Sequence, residues 1–256
     1  MSHLDRALAS PDSKAPYVRR LFHTIADRYD LITVLLSFGL DRRWKQQLIA
    51  LSGAREGTRA LDLACGTGDI AFGLADRGAR ATGLDITFRM LQLARAKPGH
   101  AAFAAGDMTS LPFPEQSFDL VTTGYGIRNV PRIEPAIAEI HRVLRPGGVL
   151  LSLDFDRPDN AVLRAIYLGY LTLVGSALGW VLHRDPDTYR YIPASIKRYP
   201  GARGVADRLS ARGFDRVAVM PLLFGLMSLH LATRSNGHAS PHDSDDRDNG
   251  PVANGR

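Results

Sequence analysis

Asp62, Gly66, Thr67, Gly68 and Asp85 are the residues whose types and spacing could do chemistry together. The first four lie in Leu61-Asp62-Leu63-Ala64-Cys65-Gly66-Thr67-Gly68-Asp69, where an apolar run carries an acid, breaks at two glycines and restarts as Ile70, Leu74, Ala75. Strand, glycine turn and helix form a nucleotide-binding corner. The small residues let the backbone approach a ligand, and the helix N-terminus offers unpaired N–H groups. Gly66-x-Gly68-x-x-Ala71 also satisfies the loose dinucleotide fingerprint, so the glycines alone do not choose a ligand.

The acids narrow the choice. Asp62, beside the turn, could meet an ammonium group but would repel a pyrophosphate at close range. Asp85 ends the second apolar run, 17 residues after Gly68, where a carboxylate can accept both ribose hydroxyls. Asp107 and Met108 follow the third run, where a polar side chain and a backbone N–H could read an adenine edge. A ligand with an amino acid at one end and adenosine at the other fits all three positions, and S-adenosyl-L-methionine is such a ligand. The competing readings are an NAD site and a plain glycine turn with solvated acids, which explains each piece singly but not the ordered set.

The elements that must position these residues follow from periodicity. Val18, Leu21, Phe22, Ile25, then Leu35, Leu36, Trp44, Leu48 and Ile49 predict a helical cap of two or three short helices over residues 17–52. Short apolar runs at 60–64, 80–84, 101–104, 118–123 and 149–155 alternate with helical stretches at 69–77, 87–96 and 131–144. That alternation is the mark of parallel βαβ units. A helical insertion at 158–203, a helix at 204–212 and two final strands at 215–220 and 228–234 complete the domain. The fold class is α/β: a Rossmann-like, seven-stranded open sheet with an antiparallel last strand.

Residues 165–182 run for 18 positions without a charge, borderline for spanning a bilayer. Gly175 and Gly179 have the spacing that packs membrane helices closely, but the glycines, Thr172 and Ser176 dilute the segment's hydrophobicity. A helix lying over an apolar ligand site and touching lipid is the better expectation; an ordinary buried helix is the other. The chain of 256 residues, 45% of them hydrophobic, is long enough for one sizeable domain. Its single cysteine, Cys65, excludes an internal disulfide and suits a reducing cytoplasm. No apolar signal core opens the N-terminus. The net charge is +6, with −2 confined to residues 235–256 and +8 on the remainder. Without a concentrated basic run or interleaved aromatics, this excess argues against nucleic acid. The polar tail and residues 1–16 are expected to be disordered.

Beyond the nucleotide corner, the chain resembles the ubiquinone/menaquinone biosynthesis C-methyltransferases over residues 17–234. The resemblance rests on Phe22-His23-Thr24-Ile25-Ala26-Asp27-Arg28-Tyr29-Asp30, Leu35-Leu36-Ser37-Phe38-Gly39, Leu111-Pro112-Phe113-Pro114 and Gly126-Ile127-Arg128-Asn129-Val130. It extends through Arg142-Val143-Leu144-Arg145-Pro146-Gly147-Gly148, Tyr189-Arg190-Tyr191-Ile192-Pro193 and Gly225-Leu226-Met227-Ser228-Leu229-His230. It implies cofactor contacts at Thr67, Asp85, Asp107 and Met108, with Gly124 standing where relatives carry a serine. Asp156 and Arg157 replace a usual Ser-Lys pair.

The implied reaction is metal-free C-methylation of a reduced prenylated quinone, either demethylmenaquinol or a 2-methoxy-6-polyprenyl-1,4-benzoquinol. Gly124-Tyr125-Gly126-Ile127 inclines the reading toward the naphthoquinol. Arg128 is the candidate contact for a developing phenolate, Asn129 for orienting the ring, and Tyr29 and Asp30 for closing over the cofactor. Asp69, His141, Asp154 and Tyr125 compete as general base, and His23 and His141 also read as ordinary structural histidines. A membrane-dissolved substrate implies cytoplasmic residence with peripheral contact at the inner membrane face, through the apolar helix and Arg184, Arg190, Lys197, Arg198 and Arg203. A homodimer is left open.

Overall fold

The structure is a computed structural model that describes residues 3–37 and 39–236. Its centre is a seven-stranded sheet in the order β3-β2-β1-β4-β5-β7-β6. The strands are β1 (Arg59–Leu63), β2 (Arg80–Asp85), β3 (Ala102–Ala105), β4 (Phe118–Gly124), β5 (Leu144–Phe155), β6 (Phe214–Leu222) and β7 (Met227–Arg234). The first five pair in parallel, and β7 runs antiparallel between β5 and β6. Both faces of the central strands are covered, so β4 and β5 read as near-continuous apolar runs. Val121 and Leu150 face one core with Ile137, Ile140, Val205 and Leu209. Leu120, Leu151 and Leu153 face the other with Trp44, Leu48 and Leu74.

The chain order reverses between β1 and β4, its neighbours on either side being β2 and β5. Such a switch point opens a crevice at the carboxyl ends of the strands, and every residue of the opening motif lies there. The backbone departs from ordinary conformations at this crest: Ala64, Gly66, Gly68 and Tyr125 have φ of 51°, 54°, 89° and 62°. At Tyr125 the left-handed conformation costs on the order of 1–2 kcal/mol. Three contacts hold it: its N–H donates to the Leu153 carbonyl at 2.7 Å, its carbonyl accepts from Asn129 Nδ2 at 2.7 Å, and its hydroxyl donates to Asp41 at 2.7 Å.

Helices α1 (His3–Ala7), α2 (Pro11–Ile25), α3 (Tyr29–Leu36) and α4 (Asp41–Leu51) form the cap. The expectation of a disordered 1–16 is therefore corrected for residues 3–16. Ser10 caps α2 in a reciprocal box with Ser13, and Pro11 occupies the first turn, where its missing N–H costs nothing. Leu4 and Leu8 are buried, with Val18, Leu21 and Ile25, against Tyr189 and Tyr191 of the insertion. This short sequence looks like a polar tail, but its apolar residues fall at helical spacing and find a partner far along the chain. The tail beyond Asn236 lies outside the described residues.

The insertion consists of α8 (Ala161–His183) and α9 (Asp187–Arg198), leading into α10 (Gly201–Ala211). Asn160 caps α8 by accepting the N–H groups of Val162 and Leu163. By length and composition α8 is apolar enough to cross a membrane, yet few of its residues are buried, against the expectation of an ordinary buried helix. Within the same chain Gly175 packs on Tyr189 of α9, and Gly179 on the turn that leads into it: a Cβ at Gly179 would lie 2.5 Å from the Asp185 carbonyl oxygen. The small-residue spacing thus serves an internal packing. The remaining helices, α5 (Asp69–Ala75), α6 (Phe88–Ala96) and α7 (Ile133–Val143), are the crossovers.

Candidate active site

Two clefts and one larger chamber meet at the crest. The first cleft is lined by Gly66, Asp85, Ile86, Asp107, Met108 and Gly124, roofed by Val18 and Phe22 of α2. Asp85 accepts the N–H of Gly66 at 2.9 Å and that of Thr87 at 2.7 Å. These bonds favour its charged form, while burial, the larger influence, pushes its pKa up. Asp107 accepts the N–H and hydroxyl of Thr109 through Oδ1, at 2.8 and 2.7 Å. Asp85 and Asp107 thus place two carboxylates along one groove.

The second, smaller cleft continues from it across Gly66 and Gly124, and Asp62 and Thr67 line it. Asp62 is buried, with Oδ1 accepting the Thr122 hydroxyl at 2.8 Å, while Oδ2 is buried without a partner. Burial pushes its pKa up to about 7. An unpaired buried carboxylate oxygen is costly, and the ammonium of an amino-acid-bearing ligand would satisfy it. Gly124 packs closely on α5, since a Cβ there would meet Ile70 Cδ1 at 2.8 Å. These residues fit S-adenosyl-L-methionine: Asp62 for the ammonium, Asp85 for the ribose, Asp107 and Met108 for the adenine. The Thr67 hydroxyl, by contrast, donates to Asp30 of α3 at 2.7 Å, fastening the cap to the turn.

The chamber on the far side is apolar and encloses about 890 Å³ including its mouth. Leu21, Ile25, Ile32, Leu36, Trp44 and Leu226 line it, together with Tyr167 of α8. The chamber and the first cleft share Phe22, Tyr29, Tyr125 and Asn129 as a common wall. Arg128 projects into the chamber, nearly buried. Its N–H donates to Asp154 Oδ2 at 3.0 Å, its Nε to Oδ1 at 3.2 Å, and Nη1 to Ser195 Oγ. The guanidinium lies 4.9 Å from the Phe155 ring centroid, a cation–π contact. Asn129 accepts the Tyr191 hydroxyl at 2.9 Å while donating to the Tyr125 carbonyl.

The expected base candidates fare differently. Asp154 is fully buried behind Arg128 and also accepts the Phe155 N–H. Asp69 is held below the usual carboxylate range, burial opposing and Lys45 and Lys97 prevailing. The Tyr125 hydroxyl is committed to Asp41, and burial pushes its pKa well up. His141 meets Phe214 edge to face at 5.3 Å between ring centroids, by the start of β5 and so at the opposite end of the sheet, and His23 is exposed on α2. None of them stands ready to take a proton in the chamber. Sequence reading missed Asp41 and Lys45 of α4, whose i,i+4 spacing gives a 2.8 Å ion pair but looks like any solvated helix face.

Comparison with known proteins agrees with this geometry. The model of the ubiE/COQ5 methyltransferase family matches residues 10–234. The ubiquinone/menaquinone biosynthesis C-methyltransferase of Azotobacter vinelandii is 38% identical over 230 residues, covering 86% of this chain and 91% of the relative. Its counterpart from Dinoroseobacter shibae is 39% identical over 237 residues, covering 90% and 95%. Among solved structures, a SAM-dependent methyltransferase of Thermotoga maritima superposes with a TM-score of 0.63 at 18% identity, covering 85% of this chain and all of that one. One from Mesorhizobium loti gives 0.54 at 21% identity, covering 74% and 96%.

Proposed function

This chain belongs to the ubiE/COQ5 methyltransferase family, and from that premise we propose that it converts demethylmenaquinol to menaquinol at the membrane surface. The coarser activity, S-adenosylmethionine-dependent C-methylation in ubiquinone/menaquinone biosynthesis, follows from the family. The observation that carries the ring assignment to the chamber is the common wall: an apolar room abuts the donor cleft across Phe22, Tyr29, Tyr125 and Asn129.

S-adenosylmethionine supplies a methyl group already activated by its sulfonium. The chain's own residues then have three tasks. Asp62, Asp85 and Asp107 would hold the donor in the clefts beside the common wall, and such positioning contributes several kcal/mol. Arg128, aimed into a dry room, stabilises the phenolate whose electron density makes the adjacent ring carbon nucleophilic. The aromatic lining excludes water. As the ring carbon gains the methyl, the S–CH3 bond breaks and the donor leaves as S-adenosylhomocysteine, and the ring carbon's proton passes to the former phenolate oxygen as aromaticity is restored. Supplying purified protein with S-adenosylmethionine and both quinols tests the ring preference by mass gain. Faster methylation of the 2-methoxy-6-polyprenyl-benzoquinol would replace the naphthoquinol with the ubiquinone precursor.

Peripheral membrane contact is part of the same proposal. Val162, Ile166, Leu173, Trp180 and Val181 are exposed along α8, and its neighbour Tyr167 lines the chamber. Of the basic residues nearby, Arg190 pairs with Asp187, Arg198 with Asp5 and Arg203 with Asp159, so apolar contact is the main attraction and charge the lesser one. The protein should float with anionic liposomes, and Trp180→Glu should reduce flotation severalfold. Wild-type protein that stays at the bottom of the gradient at low salt would refute the contact.

A further inference from the structure

The donor's methionine end carries two opposite charges, and Asp62 accounts for only the ammonium. Among the residues lining the smaller cleft, Lys45 is the one cation. Its side chain is 12% exposed, and its Nζ lies 2.8 Å from Asp41 Oδ2 and 3.0 Å from Asp69 Oδ2. A lysine ammonium has three donors, so these two acids leave one unspent. Neither acid depends on Lys45 alone. Asp69 receives Lys97 at 3.0 Å on its other oxygen, and Asp41 receives the Tyr125 hydroxyl at 2.7 Å.

From this arrangement we infer that Lys45 binds the carboxylate of the cofactor's methionine, so that Asp62 and Lys45 read the two ends of a zwitterion. The cleft then selects an intact α-amino acid over any adenosine thioether lacking one of its charges. Lys45 reaches the site from α4, so the cap supplies half of the recognition and the sheet the other half. The inference rests on the methyl donor and is independent of which quinol is methylated.

The test is calorimetry with S-adenosylhomocysteine and with its decarboxylated analogue, S-adenosyl-3-thiopropylamine. Wild-type protein should prefer the carboxylated ligand by about 10- to 100-fold, the value of one charge-assisted bond in a partly desolvated cleft. Lys45→Met should erase that preference while leaving affinity for the analogue within about twofold, and Lys45→Arg should retain most of it. Equal affinity of wild-type protein for the two ligands overturns the inference without any variant. So does a Lys45→Met protein that keeps the full preference, or one that loses both ligands equally while its melting temperature is unchanged. If Lys45→Met does not fold, Lys45→Gln and the wild-type preference decide.

Discussion

At the scale of single residues, Asp62 couples folding to acidity, and the proposed donor site would couple both to ligand binding. Its pKa rises from the ordinary 3.8 to about 7 on folding, so between those values the folded state holds a proton that the unfolded state has lost. Its contribution to stability is therefore complete below about pH 4 and is lost as pH rises through 7. Binding an ammonium requires the charged form, so S-adenosylhomocysteine affinity should rise about tenfold between pH 6 and pH 8. Asp62→Asn should flatten that rise and weaken binding by about 30- to 100-fold. It should also raise the apo protein's melting temperature at pH 8, since no charge is then buried. A variant that binds normally at both pH values would remove Asp62 from the site.

At the scale of elements, the insertion shows where sequence reading succeeds and where it fails. The βαβ core was legible because each strand and helix is encoded locally: Leu61 to Leu63, the glycine turn and Ile70 to Leu74 need no distant partner to be recognised. The same locality exposed Asp85, Asp107 and Met108 at strand ends. What stayed hidden depends on partners far apart in the chain. Leu4 and Leu8 become core only because Tyr189 and Tyr191 cover them, and Lys45 gains meaning only where α4 meets the α5 turn. Gly175 and Gly179 look like a membrane contact until α9 and the turn before it fold back on them. Gly179→Ala forces a Cβ toward a carbonyl oxygen, and it should cost about 1–3 kcal/mol. A melting point lowered by several degrees checks this, and an unchanged one means that α8 and α9 separate freely.

At the scale of the whole molecule, α2 ties the cap to the turn that carries Arg128 and Asn129. Lys14 of α2 donates to the carbonyls of Arg128 and Val130 at 2.9 and 2.7 Å, gripping the turn that presents Arg128 and Asn129. Burial, then the nearby Arg128 charge, brings its pKa down to about 8. Lys14→Met should leave two carbonyls short of a donor and lower kcat by about tenfold. S-adenosylhomocysteine affinity should change less, as Asp62 and Asp85 stand on the sheet; a fall in affinity alone would assign Lys14 to the donor side. The partition of Phe22, Tyr29, Tyr125 and Asn129 has a last consequence. Residues of α2 line both compartments, Phe22 facing the two at once. A displacement of that one helix would therefore open the donor cleft and the apolar chamber together, and neither could be unroofed there without the other.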